Sequence, residues 1–161
     1  MLRKIILGLC ITVFTATCYG AGTGDIEWGV PANSIQNIIY IGCDLNATFY
    51  QPAKLPENIK IGNIVLLPRN MQYIFWDNKL GRIYISLDLV SKNRIYEELT
   101  KSYGQPDIKN YPEVKKYIWR KPPTIIILNI SSSECSIEYM SYDIFMKQIK
   151  LEGNDSIDTL W

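Results

Sequence analysis

Residues 71–87 read MQYIFWDNKLGRIYISL and show the clearest alternation of apolar and polar positions in the chain. A side-chain period of two, interrupted by the turn-forming residues Asp77, Asn78 and Lys79, is typical of a β-hairpin. The alternation places five apolar side chains on one face of this hairpin: Tyr73, Phe75, Ile83, Ile85 and Leu87. That apolar face must be covered by another part of the chain.

Two segments on either side of the hairpin are predicted to be the helices that cover it. In residues 31–42, isoleucines recur at helical spacing after Pro31, which suits a first helical turn. Residues 92–103 show the same spacing, with Ser91 as a good N-cap and Gly104 just past the end. Both segments are amphipathic, so each can place its apolar side on the sheet.

Runs of β-branched and aliphatic residues predict the remaining strands. They lie at residues 46–51, 59–67, 116–120, 124–130 and 135–142. Short links predict antiparallel pairing, so the expected fold class is α+β: two layers, with an antiparallel sheet and two short helices on one face. The order of elements suggests two αβββ repeats. The predicted inward-facing set is Ile35, Ile38, Ile39, Tyr73, Phe75, Ile83, Ile85, Leu87, Ile95, Leu99, Ile126, Leu128, Ile137 and Tyr139.

Residues 1–20 are predicted to be a secretory signal peptide. Arg3 and Lys4 precede an apolar run that is too short to cross a bilayer, and small residues suited to cleavage follow. Lipid attachment at Cys18 is the alternative, but the residues before it fit a lipobox poorly. We therefore expect an exported protein, periplasmic or extracellular, that is not an integral membrane protein.

The rest of the chain is predicted to form a single α+β domain over residues 21–150, followed by a flexible acidic tail at 151–161. Its charge is nearly balanced, because the signal holds two of the 17 Lys and Arg residues and the chain has 16 Asp and Glu residues. This balance lacks the basic footprint of nucleic-acid-binding proteins, so no nucleic acid partner is expected.

Two cysteines, Cys43 and Cys135, remain after the predicted signal. In an oxidising compartment an even pair that is far apart in sequence is most simply a disulfide. Two unpaired buried thiols are the alternative. The predicted bridge would have a structural role and no part in chemistry.

The catalytic groups of the commonest enzyme classes are missing from the sequence. The chain has no histidine, which removes the usual general base of Ser and Cys nucleophiles and the commonest zinc ligand. Neither a P-loop nor a dinucleotide-binding glycine motif occurs. Glu97 and Glu98 are adjacent on a predicted helix and face apart, which does not suit paired-carboxylate catalysis. We expect no enzyme activity, no cofactor and no metal site.

The outer face of the predicted sheet offers a candidate partner-binding surface. The strand alternation places Trp76, Tyr84, Arg120, Met140 and Tyr142 there, and aromatic residues and Arg are typical anchors of protein interfaces. The alternative is that these rings only cover a half-exposed sheet. The edge strands offer a second mode, in which a strand from a partner adds to the sheet.

Three short motifs of the chain resemble those of small exported bacterial proteins of unassigned function. They are Trp28-Gly29 before the first predicted helix, Tyr73-x-Phe75 with Lys79-Leu80 in the hairpin, and Tyr103-Gly104-x-Pro106 at the end of the second helix. The predicted order of elements is also similar to the αβββ module of BamE-like envelope lipoproteins and, doubled, of β-lactamase-inhibitor-type proteins. This resemblance is one of topology, and it implies a protein-binding module without assigning site residues.

The leading hypothesis is an exported, non-catalytic protein-binding module that acts as an adaptor, assembly factor or inhibitor in the bacterial envelope or outside the cell. One alternative is a carrier that holds a small apolar or lipid ligand between helices and sheet. A hydrolase that uses carboxylates is the third hypothesis.

Overall fold

The computed structural model describes residues 27–151, without the side chains of Gln148, Ile149 and Leu151. The predicted signal at 1–20, the alternative lipid site Cys18 and the predicted tail from residue 152 onward lie outside the described residues. The strands are β1 (Ile38–Asp44), β2 (Ala47–Pro52), β3 (Ile59–Ile61), β4 (Ile64–Leu66), β5 (Pro68–Trp76), β6 (Lys79–Leu87), β7 (Asp107–Asn110), β8 (Val114–Lys121), β9 (Thr124–Ser131) and β10 (Cys135–Ser141). The helices are α1 (Lys92–Tyr103) and α2 (Tyr142–Leu151), and 3₁₀ turns occur at Ala32–Ser34 and Leu89–Ser91.

Eight of these strands form one sheet in the order β1-β2-β5-β6-β10-β9-β8-β7, and every neighbouring pair is antiparallel. The chain therefore makes two four-stranded meanders whose last strands, β6 and β10, pair at the centre. Strands β3 and β4 form a separate hairpin, as the sequence of residues 59–67 suggested. The predicted α+β class with an antiparallel sheet is confirmed.

The central hairpin is formed by β5 and β6 in the predicted register, with Tyr73 opposite Ile83. Its two-residue turn holds Asp77 and Asn78 at φ values of 49° and 58°. Positive φ at both central positions defines a type I′ turn, whose twist matches that of the flanking strands, and Asn and Asp tolerate this conformation better than other side chains. The turn thus fixes which side chains of the hairpin share a face.

The main core lies between one face of the sheet and a layer made of α1 and the β3–β4 hairpin. Ile95 and Leu99 of α1 and Ile59 and Ile61 of β3 are at most 2% exposed and pack on the hairpin's apolar face. The layer is tied together by Glu98, whose carboxylate accepts the backbone N–H of Asn63 at 2.9 Å. The predicted inward-facing residues from Tyr73 to Tyr139 all belong to this core.

The predicted helix at residues 31–42 is wrong. The chain forms only the turn Ala32–Ser34, passes through Asn37 at a φ of 57°, and then continues as strand β1. Strand pairing with β2 places the Tyr40 ring edge-on to Tyr50, with ring centroids 5.6 Å apart. Since β1 is at the edge of the sheet, Ile39 is 48% exposed and does not face inward as predicted, whereas Ile35 and Ile38 pack partly against the core.

Helix α2 covers part of the opposite face of the sheet and was not predicted. Its residues Tyr142 and Phe145 pack on a second, smaller apolar cluster formed by Ile118, Ile125, Ile127 and Met140. The two helices of the structure therefore lie on opposite faces of the sheet, which differs from the predicted arrangement with both on one face. Strand β7 was also missed, because its sequence, DIKN, is short and polar.

Candidate partner-binding surfaces

Two of the predicted partner-binding residues, Trp76 and Tyr142, lie on the sheet face opposite the main core, as the alternation indicates. Both are engaged near α2. A Cβ atom added at Gly81 would lie 2.5 Å from the Trp76 ring and 2.8 Å from the Ile144 side chain, so the indole packs directly on the glycine beside the helix. Tyr142 begins α2, and its backbone N–H donates to the Pro123 carbonyl at 2.8 Å.

Met140 and Arg120 are also held within the protein. Met140 is 1% exposed, so its predicted position on an open surface is wrong, and the reason is that α2 covers this end of the sheet. The Arg120 guanidinium forms an ion pair with Asp107, which joins β8 to the edge strand β7. The structure therefore does not bring the predicted residues together into one open patch.

Tyr84, the remaining predicted residue, lies near the centre of the same face. Its hydroxyl donates to the Glu134 carboxylate at the end of the turn before β10. Burial, together with the negative charge of Glu134, raises the pKa of Tyr84 to about 12. Tyr84 is thus a neutral hydrogen-bond donor over the whole physiological range.

A buried ion pair beside Tyr84 was not found from the sequence. Arg82 Nη2 lies 2.5 Å from Glu138 Oε2, and the Asn129 amide donates to Glu138 Oε1 at 2.7 Å. Glu138 is only 8% exposed, so its charge depends on these partners. The signal that would have found the pair is the occurrence of opposite charges at outward-facing positions of two strands that both lie in the middle of the sheet.

The predicted disulfide between Cys43 and Cys135 is not formed, and both thiols are free. Cys43 lies in the edge strand β1 and Cys135 in the central strand β10, with three strands between them. At a strand spacing of about 4.8 Å this separates them by roughly 19 Å. A disulfide requires Cα atoms within about 7 Å of each other, so the sheet order itself excludes the bridge.

The two cysteines should differ strongly in reactivity. Cys43 is exposed, whereas Cys135 is fully buried and its burial raises the pKa of the thiol to about 11. We expect N-ethylmaleimide at neutral pH to add once to native protein starting at residue 21, on Cys43, with Cys135 reacting roughly a hundredfold more slowly or only after denaturation. Mass spectrometry of intact and digested protein measures this. In the control variant Cys43→Ser the native protein should take up no reagent, and a denatured, unreduced protein without free thiols would contradict the structure.

The two edges of the sheet differ in how they are protected. Edge strand β7 has four residues, and its Asp107 and Lys109 place charge along it. Edge strand β1 has seven residues, IIYIGCD, with no Lys, Arg or Pro. In β1, Ile39, Tyr40 and Ile41 are 48%, 53% and 43% exposed. Sheet edges in monomeric proteins are normally blunted by charge, proline or short length, and β1 has none of these along most of its length.

Among residues 27–151 no group of three or more His, Cys, Asp or Glu side chains is arranged to hold a metal ion. Over the same residues, no helix combines the length and the apolar character needed to cross a membrane. Comparison of the chain with protein-family models, with curated proteins and with solved structures found no match.

Proposed function

We propose that the protein is an exported, non-catalytic binding module of the bacterial envelope or exterior, and that it binds another protein through edge strand β1. The observation that carries this proposal is the contrast between the charged, four-residue edge β7 and the apolar, seven-residue edge β1. An unpaired edge presents a row of backbone N–H and C=O groups to which an extended segment can add as a further strand.

The exposed side chains of β1 suit such a partner. Backbone hydrogen bonds along the edge would supply general affinity, while Ile39 and Ile41 offer apolar contacts that select for apolar residues in the added strand. A bulge between Tyr40 and Gly42 shifts the pairing of β1 with β2 at Ile41. At the adjoining turn, Leu45 is fully exposed and extends the apolar surface.

We place the partner at β1 and not on the face that carries the residues predicted from sequence, because those residues are engaged within the protein. Trp76 packs on Gly81, Tyr84 donates to Glu134, and Arg120 pairs with Asp107. Tyr142 packs on the cluster under α2.

The order of the sheet supports a related proposal, that the domain is built from two structural repeats. Strands β1, β2, β5 and β6 form one meander and β7 to β10 the other, with the last strands adjacent. Only the second meander is preceded by a full helix, α1, since the first follows the three-residue turn Ala32–Ser34. The resemblance to tandem αβββ binding modules belongs to this proposal.

Lysine substitutions at two comparable edge positions test the binding mode. Ile39 in β1 and Ile108 in β7 are both exposed apolar residues, at 48% and 46%, so Ile39→Lys and Ile108→Lys make the same chemical change at opposite edges. We expect Ile39→Lys to weaken capture of the partner at least about tenfold, because the charge would have to be buried against the added strand. Ile108→Lys should bind as the wild type does.

The measurement is an affinity pull-down of tagged protein starting at residue 21 from envelope and secreted fractions of its source, with quantification by mass spectrometry. The captured protein is then titrated against the two variants. Equal binding by both variants would exclude β1 as the partner site. Turnover of a substrate by the purified protein would contradict the non-catalytic part of the proposal.

A further inference from the structure

An open depression of about 770 Å³ lies at the end of β8 and β9, on the side of the β9–β10 turn. We call it the β8–β9 depression. Its walls include Tyr111 and Glu113 from the turn before β8, Asn129 of β9, and Glu134 before β10. This volume is within the range of sites that bind small molecules.

Two buried polar atoms without a hydrogen-bond partner belong to residues that line this depression. They are the Tyr111 hydroxyl and the Asn129 Oδ1 atom. Nearly all buried polar groups in proteins are paired with protein, water or ligand, because an unpaired one loses its hydration without compensation. The occurrence of two such atoms at one depression indicates that a polar molecule completes them.

Both side chains are held in place by the protein. The Asn129 amide group donates to Glu138 Oε1 at 2.7 Å and to Ser136 Oγ at 3.4 Å, which leaves Oδ1 as the acceptor that is not used. Tyr111 is fixed by its backbone N–H, which donates to the Val114 carbonyl at 3.0 Å, and by the Lys116 ammonium 5.5 Å from its ring centroid. Fixed groups bind a ligand without a further loss of side-chain entropy.

The charges at the depression are balanced, which favours a neutral ligand. Glu113 and Glu134 contribute two carboxylates to the wall, while Lys115 lines the same wall and Lys116 lies over Tyr111. A site with no excess of either sign gives little electrostatic stabilisation to an anion or a cation. The ligand must instead be recognised through hydrogen bonds.

We propose that the β8–β9 depression is a binding site for a neutral carbohydrate of about two sugar units. A sugar hydroxyl is both donor and acceptor, so one can donate to Asn129 Oδ1 and another can exchange a hydrogen bond with the Tyr111 hydroxyl. This site lies in the second meander, away from β1, so the inference is independent of the proposed protein partner.

Titrations with defined sugars test this inference. Isotope-labelled protein starting at residue 21 is titrated with maltose, cellobiose, lactose and N,N′-diacetylchitobiose, each to about 10 mM, and backbone NMR shifts are followed. We expect saturable shifts at residues of the depression with at least one of the four. Tyr111→Phe, which removes only the hydroxyl oxygen, should raise the Kd for that sugar at least about tenfold.

Thr100→Val is the matched control, because Thr100 in α1 carries another buried hydroxyl without a partner and does not line the depression. It should bind the sugar with unchanged affinity. Asn129→Ala should also weaken binding, and if it fails to fold, Tyr111→Phe decides alone. The proposal is overturned if none of the four sugars gives saturable shifts, or if Tyr111→Phe binds as tightly as the wild type.

Discussion

Replacement of Trp119 by alanine is expected to lower the free energy of unfolding by about 3–5 kcal/mol, the usual cost of removing a large aromatic side chain from a core. Trp119 in β8 is 1% exposed and lies beside the Tyr96 and Tyr117 rings, with centroid distances of 6.4 and 6.5 Å. Its indole N–H also donates to the Gly104 carbonyl at 2.8 Å, just past the end of α1. The substitution therefore removes both packing and the link between β8 and the helix end.

Urea unfolding followed by circular dichroism measures this effect. Trp119→Phe keeps an aromatic ring but leaves the Gly104 carbonyl without its donor, and we expect a smaller loss of about 1–3 kcal/mol. Ile108→Ala, at the exposed edge, is the control and should change stability by less than about 0.5 kcal/mol. A loss below about 1 kcal/mol for Trp119→Ala would mean that this residue is not buried in solution.

The elements that were predicted correctly are those in which local sequence and tertiary packing agree. In β5 and β6 the alternation is long, and Asp77 and Asn78 favour the left-handed conformation that the turn requires. In α1 the buried Ile95 and Leu99 recur at helical spacing, and Gly104 ends the helix with a φ of 82°. For such segments the buried face follows directly from the sequence.

Strand β1 was mistaken for a helix because its signal is ambiguous. Ile35, Ile38 and Ile39 fit helical spacing, but adjacent β-branched residues also favour a strand. Pairing with β2 and the contact of Tyr40 with Tyr50 decide between them, and both depend on residues that are distant from a local sequence window. The wrong helix also concealed the apolar edge on which the proposed function rests.

The outer face of the sheet could be predicted in its membership but not in its surroundings. The alternation placed Trp76, Tyr84 and Arg120 there correctly, yet gave no indication that α2 would cover Met140. Burial beneath a helix depends on where the chain goes after β10. For the same reason the sequence alone did not show that Glu138 is buried beside Arg82.

Replacement of Glu138 by alanine is expected to lower the free energy of unfolding by about 2–3 kcal/mol. The Arg82 guanidinium would keep its position on the central strand β6 without a counter-charge, and its Nε atom already has no hydrogen-bond partner. Removing one member of a fully buried pair costs about 3–5 kcal/mol, and the Arg82 side chain is 31% exposed, so water offsets part of that penalty. The Asn129 amide would also lose the acceptor at 2.7 Å.

A double-mutant cycle separates the two contributions. Arg82→Met combined with Glu138→Met removes both charges and retains similar volume, so the double variant should be more stable than Glu138→Met alone. The remaining deficit, about 1 kcal/mol, is the cost of the unsatisfied Asn129 amide. If Glu138→Ala costs less than about 1 kcal/mol, the ion pair is not formed in solution. If the double variant recovers as expected, the charges are not needed for folding, and because Asn129 connects Glu138 to the β8–β9 depression, the network is better explained by its orientation of the Asn129 side chain there.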